Sequence, residues 1–131
     1  MQGKLYHSGA IEVKGSPVHG YGVFATRDLQ KGEVLEECYY LALTTQFHRV
    51  DDALKDYVFL NNDLGTSGKS SAVVLGSGMI YNHRSNPNVL YKKDKARKVF
   101  IYYMDADAGS GEELFVSYGE GAYSTKRLNN G

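Results

Sequence analysis

The stretch YNHRSNPNV, residues 81–89, concentrates three asparagines, a histidine, an arginine and a proline between two apolar segments. Asn side chains readily hydrogen-bond to nearby backbone, so such a stretch interrupts regular secondary structure and favours a loop of defined shape. Pro87 also biases Asn86 toward extended backbone, which sets the direction in which the chain leaves. The stretch predicts either an ordinary surface turn or a loop held in one shape to bind something.

Short strand-like segments surround this loop. They cover residues 11–13, 22–26, 34–43, 71–75, 89–91, 98–104 and 114–118, as judged from β-branched and aromatic runs between turn residues. The strongest is KVFIYYM at residues 98–104. One helix is predicted over residues 49–58, where four apolar side chains recur on one face: Val50, Leu54, Tyr57 and Val58. Many short strands with frequent turns predict a mainly β domain with little helix.

Two segments share the pattern D-x-x-x-G-E-x-L. They are DLQKGEVL at residues 28–35 and DAGSGEEL at residues 107–114. Asp commonly opens turns and Gly supplies positive φ, so each segment predicts a turn that ends at its glycine and a strand that starts two residues later. Eight residues are too few to indicate a repeat architecture, and convergent turn chemistry accounts for the likeness.

Composition restricts the class of protein. The 131 residues suit one domain, and 15 basic against 15 acidic residues leave no net charge to direct the chain toward nucleic acid or an anionic membrane. With Cys38 as the one cysteine and four scattered histidines, neither an internal disulfide nor a metal site is expected. The start lacks the apolar segment of a signal peptide, which predicts a reducing intracellular compartment.

Two features leave alternatives open. Eleven tyrosines indicate either a strand-rich composition or a pocket lined with phenols. The segment GYGVFA at residues 20–25 matches a dinucleotide-binding glycine pattern, but a turn-like stretch precedes it and no room follows for the required helix. It remains either a hairpin entry or a place where a ligand approaches the backbone closely.

Three stretches, taken together, resemble a known family. They are HGYGVFA at residues 19–25, MIYNHRSNP at residues 79–87 and GEELFVSYGEGAY at residues 111–123. Their order, separation and chemistry are similar to the SET domain, the fold of one class of protein lysine methyltransferases that use S-adenosylmethionine. The resemblance covers roughly residues 10–123 and implies a single SET domain over residues 1–131, with 124–131 as a short tail.

The resemblance implies a fold. Family members are mainly β, with short strands in small, β-clip-like sheets, little helix, and a C-terminal segment threaded like a pseudoknot past the Asn-His loop. Such threading is rare in proteins. The chain looks like the minimal stand-alone members of large viruses, bacteria and archaea, because one cysteine cannot build the zinc segments that flank many eukaryotic SET domains.

The site residues that the resemblance implies come from all three stretches and from the KDYVF segment. Tyr118 would be the catalytic residue. The cofactor would contact His19, Gly20, Tyr21, Gly22, Tyr57, Asn82, His83 and Tyr123. The substrate channel would be lined by Tyr57, Tyr118 and Tyr123. Arg84 stands where most members have a small residue, so it is expected either to clash or to point to solvent.

Tyrosines suit the chemistry that the resemblance implies. Methyl transfer to lysine requires the neutral amine, whose pKa in water is about 10.4, and an apolar aromatic channel favours that neutral form. Phenol hydroxyls at the end of such a channel can hold the nitrogen and aim its lone pair. Whether Tyr118 also accepts the proton stays open, since a phenol is a weak base at neutral pH.

The implied function is S-adenosylmethionine-dependent protein lysine N-methyltransfer to a histone or another chromatin or basic protein. The alternative is a catalytically inactive SET-fold binding module. A protein substrate is the expected partner, without direct nucleic-acid or membrane binding, and a homodimer is allowed. The expected location is the cytoplasm of a prokaryote, or a host nucleus if the chain is viral, and not outside the cell.

The basic stretch KKDKARK at residues 92–98 follows the Asn-His loop. Clustered lysines between two strands are typical of a solvated hairpin tip. The same cations would also suit a docking surface for the acidic flanks of a partner. Both interpretations remain open from the sequence.

Overall fold

β-Strands make up about half of the described residues, and little of the remainder is helical. The computed structural model describes residues 3–46, 49, 51–54, 59–60 and 70–117. The strands in these ranges are β1 (Ile11–Gly15), β2 (Tyr21–Ala25), β3 (Val34–Gln46), β4 (Phe59–Leu60), β5 (Ser70–Val74), β6 (Asn82–His83), β7 (Val89–Asp94), β8 (Val99–Met104) and β9 (Glu113–Val116). The prediction of a mainly β domain is confirmed, and seven of these strands coincide with predicted segments to within a few residues.

The strands form two small sheets. The first has the order β1-β2-β9-β6 and the second the order β4-β5-β3-β8-β7. Strand β3 is long enough to pair with β8 along its first half and with β5 along its second. Side-chain alternation in β8 turns Phe100, Tyr102 and Met104 inward, and each is at most 1% exposed. These residues belong to one core cluster to which both sheets contribute.

Aromatic rings fill part of this core. Tyr81 stacks on Tyr102 with centroids 4.8 Å apart, and Tyr91 stacks on Phe100 at 5.3 Å. Tyr40 meets Phe100 edge to face at 5.4 Å. Each such pair contributes about 0.5–1.5 kcal/mol beyond the area it buries. For these residues the abundance of tyrosine therefore reflects packing inside and between strands.

Strand β6 is two residues long and runs parallel to β9. Asn82 pairs with Phe115 and His83 with Val116, and the Arg84 N–H donates to the Val116 carbonyl at 3.0 Å. Strand β9 also pairs antiparallel with β2 on its other side. The three stretches that carry the family resemblance therefore meet in the first sheet.

The two D-x-x-x-G-E-x-L segments bind each other. We call this reciprocal pair the clasp, formed by residues 28–33 and 107–112. The carboxylate of Asp28 accepts the Ser110 N–H at 3.0 Å. In the same way, the carboxylate of Asp107 accepts the Lys31 N–H at 2.8 Å. Each turn is thus completed by an acid from the other turn.

Backbone contacts give the clasp the same two-fold character. Leu29 and Ala108 exchange two hydrogen bonds of 2.8 and 3.0 Å. Gly32 and Gly111 have φ values of 89° and 87°, a region that favours glycine. Strands β3 and β9 begin two residues after these glycines, so the turn-then-strand prediction is confirmed for both segments. The clasp lies where the chain crosses from the first sheet to the second and back again.

The predicted helix over residues 49–58 is not seen in its described part. Asp52–Leu54 form a 3-10 turn. The Asp51 carboxylate accepts the Ala53 N–H at 2.9 Å and its carbonyl accepts the Leu54 N–H at 2.9 Å, which closes a tight turn. Residues 50 and 55–58 lie outside the described residues. Among the described residues, no helix is long and apolar enough to span a membrane.

The basic stretch at residues 92–98 covers the end of strand β7 and the turn of the β7–β8 hairpin. Strands β7 and β8 pair antiparallel up to Asp94 and Val99. At the turn, the Asp94 carboxylate accepts the Arg97 N–H at 3.1 Å. The predicted hairpin is confirmed, and the docking of an acidic partner stays a prediction.

An ion pair beside this hairpin predicts acid sensitivity. The two terminal guanidinium nitrogens of Arg97, Nη1 and Nη2, each donate to the Glu37 carboxylate at 2.8 Å. These hydrogen bonds hold the pKa of Glu37 below its ordinary value of 4.5. A carboxyl whose pKa is lowered by folding contributes stability that is complete above its unfolded-state pKa and is lost as the pH falls through its folded-state pKa.

Glu37→Gln should therefore flatten the acid limb of the stability curve. The test is urea unfolding of both proteins at about pH 7 and about pH 3. The wild type should lose more unfolding free energy between the two than the variant does. Equal losses would contradict a stabilising role for this pair.

Candidate functional site

Asn82 lies at the point where β2, β6 and β9 meet, and it is fully buried. Its amide nitrogen has four oxygen acceptors in range: Ser16 Oγ at 3.2 Å, the His19 carbonyl at 3.1 Å, the Tyr21 carbonyl at 3.3 Å and Glu113 Oε2 at 2.8 Å. Because every neighbour is an acceptor, the orientation of the amide is determined. One side chain thus joins the middle motif to the glycine segment and to β9.

The amide oxygen of Asn82, unlike the nitrogen, lacks hydrogen-bond partners among the described residues. Oδ1 is buried and has no hydrogen-bond partner among the described residues. An acceptor that loses water without gaining a donor costs about 1–3 kcal/mol. Because the four contacts of the nitrogen prevent the amide from turning over, this oxygen is available to a donor on a bound ligand.

Glu113 is the acid that fixes Asn82. Its carboxylate accepts the Ser16 hydroxyl at 2.8 and 2.9 Å, in addition to the Asn82 amide. Ser16 Oγ in turn accepts the Val18 N–H at 3.0 Å, so the loop before β2 is held by the same group. Glu113 is only 9% exposed. Glu113 belongs to the GEEL motif, but it is not among the site residues that the sequence predicts.

Gly20 and Gly22 of the first motif are each required to be glycine, but for different structural reasons. Gly20 has φ +49° and open space where a Cβ would stand, so its backbone conformation requires glycine. At Gly22 a Cβ would lie 2.4 Å from Glu113 Oε2 and 3.1 Å from Asn82 Nδ2. The close approach at Gly22 is therefore made by the protein's own side chains.

The other described residues that are candidates for cofactor binding, from the glycine motif and from the Asn-His loop, differ in how exposed their side chains are. His19 contributes its backbone carbonyl to the site, and its side chain is half-buried. Tyr21 contributes its carbonyl as well, whereas its side chain is 67% exposed. His83 is 3% exposed and continues strand β6 beside Val116. Their contacts with a cofactor stay predictions.

Asn88 fixes the exit of the Asn-His loop. Its Oδ1 accepts the Phe115 N–H at 2.7 Å and its Nδ2 donates to the Glu113 carbonyl at 3.1 Å. The side chain is 4% exposed, so these hydrogen bonds form away from water. The prediction that the loop leaves in a set direction agrees with this anchor on β9.

Arg84 neither clashes nor points freely to solvent. Its guanidinium lies 4.5 Å from the centroid of the Phe115 ring, a cation–π contact. Its Nε also donates to the Asn86 carbonyl at 2.9 Å. The expected clash is therefore wrong, and Arg84 lies half-buried against the Phe115 ring instead of extending freely into solvent.

Three of the candidate residues lie outside the described residues: Tyr57, Tyr118 and Tyr123. Their roles as channel, catalytic and cofactor residues stay predictions. So does the threading of the C-terminal segment past the loop. Among the described residues, no group of three or more His, Cys, Asp or Glu side chains could hold a metal ion.

Comparison with known proteins identifies a family. Residues 20–119 match the model of the SET domain. A curated relative, the H3 lysine-37 specific histone-lysine N-methyltransferase of Schizosaccharomyces pombe, is 28% identical over 113 residues, which cover 84% of this chain and 74% of the relative.

Solved structures show the same fold. A candidate histone methyltransferase of Plasmodium falciparum superposes with a TM-score of 0.66 at 25% identity, covering 85% of this chain and 94% of that one. The polycomb repressive complex 2 of Chaetomium thermophilum gives a TM-score of 0.65 at 22% identity, covering 86% of this chain and 16% of that one. The matched residues 20–119 include the glycine segment, the Asn-His loop and β9. The chain belongs to the SET domain family.

Proposed function

We propose that this protein is an S-adenosylmethionine-dependent protein lysine N-methyltransferase. Membership of the SET domain family and the relative named as a histone-lysine N-methyltransferase support lysine methyltransferase activity. The observation that carries the proposal further is the Asn82 site. Three separate motifs converge there on a buried amide whose oxygen still lacks a donor among the described residues.

The residues present fit the cofactor. The methionine end of S-adenosylmethionine carries an ammonium group, a strong donor that suits the buried Asn82 Oδ1. The backbone of residues 19–22 lies beside the same amide and supplies a further polar wall. His19, Gly20, Tyr21, Gly22, Asn82 and His83 would hold the cofactor, with Tyr57 and Tyr123 added by family resemblance. When bound, this cofactor supplies an electrophilic methyl group on a sulfonium.

The chain's own contribution is to prepare the lysine. An ammonium has no lone pair, so the side-chain amine has to lose its proton in an apolar channel before it reacts. Tyr57, Tyr118 and Tyr123 would form that channel and exclude water. The Tyr118 hydroxyl would hold the nitrogen so that its lone pair faces the methyl group.

We propose a histone, or another chromatin or basic protein, as substrate. The relative at 28% identity acts on lysine 37 of histone H3 according to its name. A SET-fold binding module without catalysis is the alternative. A residue as large as Arg84 at a position that is small in most members would favour this alternative if it distorted the site, but Arg84 packs on Phe115 without disturbing the Asn82 contacts. It therefore no longer favours the inactive module.

Two measurements test the proposal. Calorimetry should detect binding of S-adenosylmethionine and of S-adenosylhomocysteine to the wild-type protein. Transfer of labelled methyl groups to histones or to lysate proteins should follow, with methyl-lysine identified by mass spectrometry. Cofactor binding without transfer to any protein, including the enzyme itself, would sink the enzyme claim. Absence of cofactor binding would favour the inactive module.

Tyr118→Phe should reduce the methyl-transfer rate at least about tenfold, because it removes the hydroxyl that orients the amine. Cofactor affinity should change little. Tyr39→Phe is the matched control, since Tyr39 is an exposed residue of β3, and it should keep the wild-type rate. An unchanged rate in Tyr118→Phe would remove Tyr118 from the reaction.

A further inference from the structure

A second buried polar cluster lies behind the Asn82 site and has no role in the function proposed so far. Its centre is Glu36 on β3, which is 3% exposed although it carries a carboxylate. The neighbouring inward residue on the same strand is Cys38, also 3% exposed. Above both lies the segment of residues 76–81, which leads directly into Asn82.

The Glu36 carboxylate binds this segment at both of its ends. Oε2 accepts the Tyr81 hydroxyl at 2.8 Å. Oε1 lies 3.4 Å from the Ser77 N–H and accepts from it. It also lies close to Gly76, where a Cβ would stand 3.3 Å away. One side chain thus spans the segment from its start to its last residue.

The Tyr81 ring cannot turn away from this contact. It is fully buried and stacks on Tyr102 with an interplanar angle of 11°. The Tyr102 hydroxyl donates to the Gly78 carbonyl at 3.1 Å, so the same ring pair binds the middle of the segment. A Cβ at Gly78 would also lie 2.3 Å from Val74, which leaves the segment no room to shift toward β5.

The donors of the cluster stay protonated at neutral pH. Burial and the Glu36 charge raise the pKa of Tyr81 well above its ordinary value. Burial, followed by the same charge, also raises the pKa of the Cys38 thiol. Both groups therefore present hydrogens to the Glu36 side chain, so its buried oxygens are satisfied by hydrogen bonds.

We propose that Glu36 is a positioning residue for the Asn82 site. By holding residues 76–81 at both ends, it sets the direction in which the chain enters β6 and the distance of the Asn82 amide from Glu113. This inference rests on the proposed function only in that S-adenosylmethionine is the ligand whose binding is used to test the role of Glu36.

Glu36→Gln is the sharpest variant for testing this role. Both carboxylate oxygens accept hydrogen bonds, whereas an amide offers one oxygen, and its NH₂ group would face either the Tyr81 hydroxyl or the Ser77 N–H. We expect roughly tenfold weaker binding of S-adenosylmethionine, because a segment that has lost one of its two holding hydrogen bonds would occupy the binding-competent position about a tenth of the time. Tyr81→Phe removes only the hydroxyl and should weaken binding in the same direction.

Two controls separate positioning from general stability. Glu37→Gln changes the same residue type at the next position of β3, where the side chain pairs with Arg97, and should keep wild-type cofactor affinity. Asp107→Asn weakens the clasp through its contact with the Lys31 N–H, which involves none of the residues bonded to Asn82, and should lower the melting temperature without changing affinity. We expect Glu36→Gln and Asp107→Asn to lower the melting temperature equally. Only Glu36→Gln should lose cofactor affinity.

A readout without any ligand makes the outcome independent of the proposed function. The side-chain NH₂ signals of Asn82 in a ¹⁵N-labelled sample should shift or broaden in Glu36→Gln and in Tyr81→Phe, and should not change in Glu37→Gln. If these signals and the affinity equal those of the wild type in Tyr81→Phe and in Glu36→Gln, the positioning role is overturned. If the wild type binds no cofactor but the signals change, the proposed function fails and the positioning role stands.

Discussion

Asn82→Asp is expected to abolish cofactor binding and to destabilise the folded protein by about 3–5 kcal/mol, the typical cost of a buried charge without a partner. The change is isosteric, so packing is preserved. The donor is replaced by an oxygen that faces the Glu113 carboxylate, which lies 2.8 Å from the present nitrogen. Ser16 and the carbonyls of His19 and Tyr21 add three more oxygens around it.

The pH dependence of this variant should carry the opposite sign to that of an ordinary ion pair. Glu113 raises the pKa of the introduced carboxyl, because two adjacent carboxylates cannot both ionise at low cost. A group whose pKa is raised by folding contributes stability below its unfolded-state pKa and loses it as the pH rises through the folded-state pKa. Urea unfolding should therefore show that Asn82→Asp loses less unfolding free energy, relative to the wild type, at about pH 5 than at about pH 8.

Asn86→Asp is the control for this experiment. Asn86 lies in the same loop but is exposed, so its replacement should change neither stability nor cofactor affinity appreciably. Wild-type stability of Asn82→Asp at neutral pH would contradict the all-acceptor environment of the amide. Retained cofactor affinity would remove Asn82 from the binding site.

Gly22→Ala is expected to destabilise the folded protein by about 1–3 kcal/mol, the usual cost of overpacking, and to weaken cofactor binding at least about tenfold by displacing the Asn82 amide. The added Cβ would lie 2.4 Å from Glu113 Oε2. The carboxylate is the end of a flexible side chain, but it can move only by breaking its hydrogen bonds to Ser16 and Asn82. The substitution should therefore release the Asn82 amide as well as fill space.

Two other glycines separate this steric effect from backbone strain. Gly20→Ala meets no atom but has φ +49°, so it should cost about 1–2 kcal/mol of stability and leave the Glu113 contacts intact. Gly109→Ala has its nearest atom 3.9 Å away and should change little. Calorimetric affinity and thermal unfolding of all three variants decide the matter. Equal affinities in Gly22→Ala and Gly109→Ala would show that the clash is relieved without moving Glu113.

Long-range features of the site follow from the family resemblance and not from local pattern. A two-residue parallel strand such as β6 is too short to show a periodic pattern of apolar residues. Its partner β9 lies more than thirty residues further along the chain, so no local pattern indicates the pairing either. Only the joint spacing of the three motifs predicts that they meet. By contrast, β8 and the turns at Gly32 and Gly111 follow from local chemistry, and the sequence predicts them correctly.

Glu113 and Arg84 show where reading of the sequence fails. All four residues of β9 are buried, so the usual rule that a charged residue in a strand faces water does not hold for Glu113. Its partners Ser16 and Asn82 are distant in sequence, and no local signal indicates them. Arg84 is accommodated by a ring that the sequence places thirty-one residues later, at Phe115.

The clasp has a consequence for how the protein is made. Neither turn forms all of its hydrogen bonds alone. The Asp28 carboxylate needs the Ser110 N–H, and the Lys31 N–H needs the Asp107 carboxylate. A nascent chain therefore carries the first half with its polar groups hydrated until the second half has been synthesised. The strands that this pairing joins become neighbours only after residues 107–112 have been synthesised, so the first half of this domain is expected to fold together with the second half and not before it.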